Sequence, residues 1–140
     1  MNRGYTVVEL VAVLTLLATL LGLSIPPISA WRDRASVDSA AAELRSLLRE
    51  ARSRSLGVGA EVTLSLTPPT AELSVAGSTL RTIRLTRDAP IDVDFGGRQR
   101  LTLRFDAMGI GRFSAATIRY RFGSATRRVI VSSWGRVRIE

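Results

Sequence analysis

Two kinds of residue in this chain have the type and spacing to do chemistry. The first is a set of arginines near the carboxyl end: Arg119, Arg121, Arg127 and Arg128, then Gly135, Arg136 and Arg138. A guanidinium stays charged, and its planar fork donates two parallel hydrogen bonds to a phosphate. In an extended chain, alternation puts Arg119 and Arg121 on one face, opposite Ile118, Tyr120 and Phe122. Arg136 and Arg138 likewise project opposite Val137 and Ile139. If the strands pair, these rows form a basic stripe. Tyr120 and Trp134 lie close enough in sequence to stack on unpaired bases, or else to pack in a core. The second kind is Glu9, a carboxylate inside an apolar run, which costs roughly a few kcal/mol unless it is neutralised. Its only partners near that segment are the chain's own amino end or that of a neighbouring molecule.

Other chemistry is excluded by composition. Without cysteine or histidine there is no Ser-His or Cys-His nucleophile, no thiolate or imidazole metal site and no disulfide. Asp92, Asp94 and Asp106 are the oxygen ligands available to a cation, but no loop spacing brings them together. There is no phosphate-binding glycine loop and no acid/base pair. The residues point to no enzyme, no cofactor and no metal.

The charge is unevenly placed. The 140 residues carry a formal +8, and all 20 basic residues are arginine, a bias that a GC-rich genome also produces. From Met1 to Asp94, ten arginines meet ten acids; from Phe95 to Glu140, ten arginines meet only Asp106 and Glu140. The whole excess therefore falls in the last third of the sequence, a pattern suited to an anionic partner such as nucleic acid or a membrane surface.

The elements that must position these residues follow from periodicity. Leu10 to Trp31 are 22 uncharged residues, roughly 33 Å as a helix, about the thickness of a bilayer's hydrocarbon core. Two readings fit: a secretory signal with Arg3 as its basic end and Ile28-Ser29-Ala30 as a poor cleavage site, or a retained membrane helix. Glu9 favours the second, because a plain signal gains nothing from it. Pro26 and Pro27 should break or bend this helix. Helical spacing resumes after Arg34, with Val37, Ala40, Ala41, Leu44, Leu47, Leu48 and Ala51 on one face. Ser36 is a candidate cap unless the helix runs on unbroken, Glu50 and Arg54 are spaced to pair, and Gly57 and Gly59 end the pattern. Period-two segments follow at 62–66, 73–75, 79–85, 91–95, 101–105, 117–122, 128–132 and 136–139, with Pro68-Pro69 closing the first. A long helix followed by antiparallel strands is an α+β order.

Two stretches carry a family resemblance. Gly4-Tyr5-Thr6-Val7-Val8-Glu9-Leu10 resembles the processing signal of type IV pilins and pseudopilins, with Tyr5 where phenylalanine is usual. Ala41 to Ala51, Val62-Thr63-Leu64, Phe105 to Gly109, Val129 to Ser133 and Gly135 to Arg138 look like the GspH/FimT branch of minor pilins. Ala107-Met108 departs from that branch, which often has a proline and a basic residue there. The resemblance implies a pilin-like fold in which residues 1–4 are a leader, 5–30 a transmembrane and assembly helix, 31–59 its amphipathic continuation and 60–140 a β-rich part on antiparallel sheets. It implies cleavage between Gly4 and Tyr5 by a prepilin peptidase and N-methylation of Tyr5. Glu9 would then pair with the amino group of a neighbouring subunit. The chain would be a non-enzymatic minor subunit of a type II secretion or type IV pilus filament, at or near the tip and helping to initiate assembly. It would sit in the inner membrane with its globular part outside the cytoplasm, and meet other pilins and an assembly platform. The alternative is a DNA-binding minor pilin for DNA uptake, in which Gly135, Arg136 and Arg138 form the family's Gly-Arg-x-Arg ending.

Overall fold

The computed structural model of the chain describes residues 6–24, 28–86, 90–113 and 115–140. The expected cleavage pair Gly4 and Tyr5, and the bend at Pro26 and Pro27, lie outside these residues.

Helix α1 spans Val7–Ser24 and α2 spans Ile28–Val58. Thr6 and Glu9 cap α1 reciprocally: the Thr6 N–H donates to Glu9 Oε2 at 3.3 Å, and the Glu9 N–H donates to Thr6 Oγ1 at 3.3 Å. Among the described residues no helix is long and apolar enough to cross a membrane. α2 runs straight through Ser36, so that residue caps nothing. The expected stripe from Val37 to Ala51 is buried in full, joined by Ser55, whose hydroxyl is satisfied by the Arg52 carbonyl at 2.8 Å. Glu50 holds Arg54 at 3.1 Å, as the spacing requires.

The described residues then form eight strands: β1 Val62–Thr67, β2 Thr70–Val75, β3 Ser78–Arg84, β4 Asp92–Asp94, β5 Leu101–Phe105, β6 Ala116–Phe122, β7 Ala125–Val131 and β8 Val137–Ile139. They make two antiparallel sheets, ordered β3-β2-β1-β5 and β4-β6-β7-β8. Pro68 and Pro69, joined by a cis peptide bond, turn β1 into β2. β7 begins three residues earlier than its apolar alternation indicates. Its first residues extend the ladder with β6, from Ala125 opposite Phe122 onward, and Arg127 reaches across to Asp38 on α2.

Both sheets turn apolar faces to α2. Val62, Leu64 and Leu66 of β1, Leu101, Leu103 and Phe105 of β5, Ile118 and Tyr120 of β6, and Val129 and Val131 of β7 are all buried with the α2 stripe. The start of α2 is fixed to the second sheet by Asp33, which accepts the Ser124 N–H at 3.1 Å. This frame sets where every arginine below can point.

Candidate functional site

The first candidate region is α1. Every described side chain from Val7 to Gly22 is exposed, including Leu10, Leu14, Leu17 and Leu21. These side chains bury nothing within their own molecule, and a contiguous exposed apolar surface of this kind marks an interaction site. Glu9 sits in its first turn, engaged with Thr6 as a cap. The sequence showed the Thr-x-x-Glu spacing of that cap, but only the need for a charged partner was read from it.

The second region is the arginine set, and the structure divides it. Arg119, Arg121, Arg128 and Arg138 do share one face, the side of the second sheet turned away from α2. Acids interleave with them there. Asp94 stands directly opposite Arg119 and Asp92 opposite Arg121, with carboxylate contacts of 2.8 Å and 3.5 Å. Glu140 bridges Arg128 at 3.3 Å and Arg138 at 3.2 Å. The Asp94 carboxyl is held below the usual carboxylate range by the N–H groups of Gly97 and Gly96, and then by Arg119 and Arg121. The expected stripe exists, but as a ladder of alternating charge. Exposed pairs of this kind contribute little stability each, yet they leave the face nearly neutral.

Arg127 faces the other way. It lies opposite Tyr120 in the β6–β7 register, on the side of α2, and is committed to Asp38. Tyr120 itself is fully buried in the core and stacks on no ligand. Burial pushes its phenol well above the usual tyrosine range, with the Glu43 charge adding to the effect. Trp134 is 71% exposed and walls an open cleft of about 380 Å³ with Ile110, Gly111, Arg112 and Ser133.

Arg136 is separated from Arg138. It precedes β8, where its N–H donates to Ser132 Oγ at 3.0 Å, and it makes no ion pair with a described acid. Its neighbours are Arg45, Arg49 and Arg52 of α2, which together with Gly135 and Leu48 line a cavity of about 240 Å³. Those three arginines recur at i, i+4 and i+7, one helix face beside the buried stripe. That spacing was the signal in the sequence that could have joined them to the site.

Gly135 has a structural reason to be glycine. Its φ is +79°, and a Cβ there would stand 2.8 Å from Cε1 of Phe105. Gly135→Ala is therefore expected to lower the unfolding free energy by about 2 kcal/mol, measured by chemical denaturation. Asp106 organises the turn on the other side of Phe105. It accepts the N–H groups of Met108 at 3.0 Å and Ile110 at 2.9 Å, and pairs with Arg112 at 3.1 Å. The three aspartates considered as cation ligands are thus used by arginines and backbone donors, and no acidic cluster able to hold a metal occurs among the described residues.

An exposed apolar helix, then an amphipathic helix laid on two antiparallel sheets, is the architecture of pilins. Two crystal structures of the type IV minor pilin FimU of Pseudomonas aeruginosa strain PAO1 have the same fold. One superposes with a TM-score of 0.61 at 20% identity, covering 74% of this chain and 87% of that one. The other gives 0.58 at 18% identity, covering 74% and 91%. No curated protein sequence matches the chain. Residues 40–135 match the family described as type II transport protein GspH, and the chain belongs to that family. It is a GspH-type subunit with the pilin fold, and the family implies association with other pilins in filaments. Proteins of this family and fold are structural subunits.

Proposed function

We propose that the chain is inserted in the inner membrane by its amino-terminal segment, cut between Gly4 and Tyr5 by a prepilin peptidase, N-methylated on Tyr5, and built into a short filament at or near its tip. The observation that carries this reading is α1, whose apolar side chains are exposed from Val7 to Leu21. Before assembly the bilayer covers them; within the filament the α1 helices of other subunits do. Glu9 supplies the register by meeting the amino group of a neighbouring subunit's Tyr5. The platform that extracts subunits from the membrane acts on this same segment. A place at the end of the filament suits the charge: Arg3 and Glu9 cancel, so the +8 lies in the part beyond α1, and copies of this chain repel one another. In cells carrying the parent filament system, the full chain should appear in sheared filaments together with the other subunits. Its retention in the membrane under conditions where those filaments form would contradict the reading.

A second reading, a receptor for DNA taken up in transformation, has one observation in its favour. Arg136 is free of acids and converges with Arg45, Arg49 and Arg52 on one cavity, an arrangement suited to a phosphate. The other arginines considered for this role are opposed by Asp92, Asp94, Asp38 and Glu140. With the full chain in nonionic detergent, Arg136→Gln and Arg49→Gln should each reduce the slope of log affinity against log salt by about 0.7–0.9. Arg138→Gln should leave it unchanged. Equal slopes for all three variants and the parent chain would remove this site.

A further inference from the structure

The positive charge left unopposed by the second sheet's ladder gathers in another place as well. Strand β5 forms one edge of the first sheet, with β1 on its inner side. Among the described residues its outer side is paired only at the end, where Phe105 bridges Gly111 and the Arg112 N–H donates to the Arg104 carbonyl at 2.8 Å. Along Leu101 to Leu103 no strand of the described residues pairs with that side. Leu101, Leu103 and Phe105 are buried, so Arg100, Thr102 and Arg104 alternate with them on the opposite face, about 6.7 Å apart. Arg98 is carried on the segment leading into the strand. These residues, with Arg112 and Phe113, line an open groove of about 340 Å³.

The charge state of the groove is unlike that of the second sheet. Arg112 is answered by Asp106. Arg100 donates to the neutral Thr67 hydroxyl at 3.1 Å. Arg98, Arg100 and Arg104 make no ion pair with any described acid. An unpaired strand edge accepts a further strand through its backbone groups, and directly opposed side chains then sit about 5 Å apart. A row of like charges on the edge repels a copy of itself and favours a strand with opposite charges at alternate positions.

We propose that the β5 edge docks an extended acidic segment of a different filament subunit, which pairs along the free stretch Leu101 to Leu103 and sets its carboxylates against Arg100 and against Arg98 and Arg104, the arginines that flank that stretch. This rests on the reading of the chain as a filament subunit. A second copy is a poor occupant, because its strands do not carry the charges. Asp92 and Asp94 of β4 are held by Arg121 and Arg119, and Glu72 is the lone acid of β2. No strand of the described residues offers two uncommitted carboxylates at alternate positions.

The test uses the full chain in nonionic detergent and a fluorescein-labelled octapeptide that alternates aspartate and valine, read by anisotropy. The alternating peptide should bind at least about fivefold more tightly than an octapeptide of the same composition with its aspartates in one block. Arg98→Gln/Arg100→Gln/Arg104→Gln should weaken binding about tenfold, with an unchanged unfolding midpoint to show the fold intact. Arg45→Gln/Arg49→Gln/Arg52→Gln should bind as the parent does. Equal binding of the blocked peptide, or no loss in the β5 variant, overturns the proposal. So does an oligo-dT of equal charge that binds more tightly and is lost in the same variant, since the groove would then be a phosphodiester site. Because the measurement is made on single solubilised chains, a protein that enters filaments yet fails to bind the peptide sinks the groove alone.

Discussion

Replacing Phe105 by alanine should lower the unfolding free energy by about 3–5 kcal/mol, roughly a fifth or more of the stability of an ordinary domain. The ring is fully buried at the end of β5. Its edge meets Phe113 at a centroid distance of 5.6 Å and an interplanar angle of 78°. Gly135 lies against it so closely that any side chain there would collide. The ring therefore joins three segments: the strand, the turn organised by Asp106, and the turn that presents Arg136. Its loss leaves a cavity that those turns cannot fill without giving up the hydrogen bonds of Asp106 and Ser132. Gly135→Ala disturbs the same contact from the other side, with a smaller expected cost. Chemical denaturation of the full chain measures both, and a loss below about 1 kcal/mol for Phe105→Ala would mean that the turns collapse onto the space instead.

Glu9→Ala should reduce the recovery of the chain in sheared filaments by at least about a hundredfold. Under the proposed assembly, deleting the carboxylate leaves a neighbour's ammonium unpaired in apolar surroundings. Breaking a buried pair in this way costs about 3–5 kcal/mol, and each 1.4 kcal/mol is a factor of ten. The cap formed with Thr6 is a smaller effect of about 1 kcal/mol. Glu9→Gln separates the two, because glutamine keeps the reciprocal cap and lacks the charge. The assembly role predicts that the glutamine variant is nearly as defective as the alanine variant. If instead glutamine restores normal incorporation, Glu9 acts as a helix cap and its charge is dispensable.

Much of this fold was legible in the sequence because apolar spacing is a local signal. The seven residues of the α2 stripe repeat at helical intervals and all are buried, and the period-two segments fall on the eight strands. The places where local reading failed are those where polar contacts decide. β7 starts at Ala125, opposite Phe122, and its Arg127 meets Asp38, 89 positions away; no alternation announces that contact. Ser36 resembles a cap, but the chain enters it already helical. The arginine surface was the hardest part. Counting along the chain put the excess charge in the last third; pairing across strands moved it. Asp92 and Asp94 belong to the balanced part of the sequence, yet the β4–β6 register sets them against Arg121 and Arg119. Arg45, Arg49 and Arg52 also lie in that part, yet α2 brings them to Arg136. Uncompensated arginines thus gather at the Arg136 cavity and the β5 edge, rather than on the sheet face that carries most of the carboxy-terminal arginines.

The central claim, that this is a processed subunit whose α1 helix is assembled with others, is tested most directly by the intact mass of the chain after co-expression with a prepilin peptidase. The expected product has lost Met1 to Gly4 and gained one methyl group on its new amino terminus at Tyr5. An unprocessed chain, or one cut near Ala30 as a secretory signal would be, would contradict it.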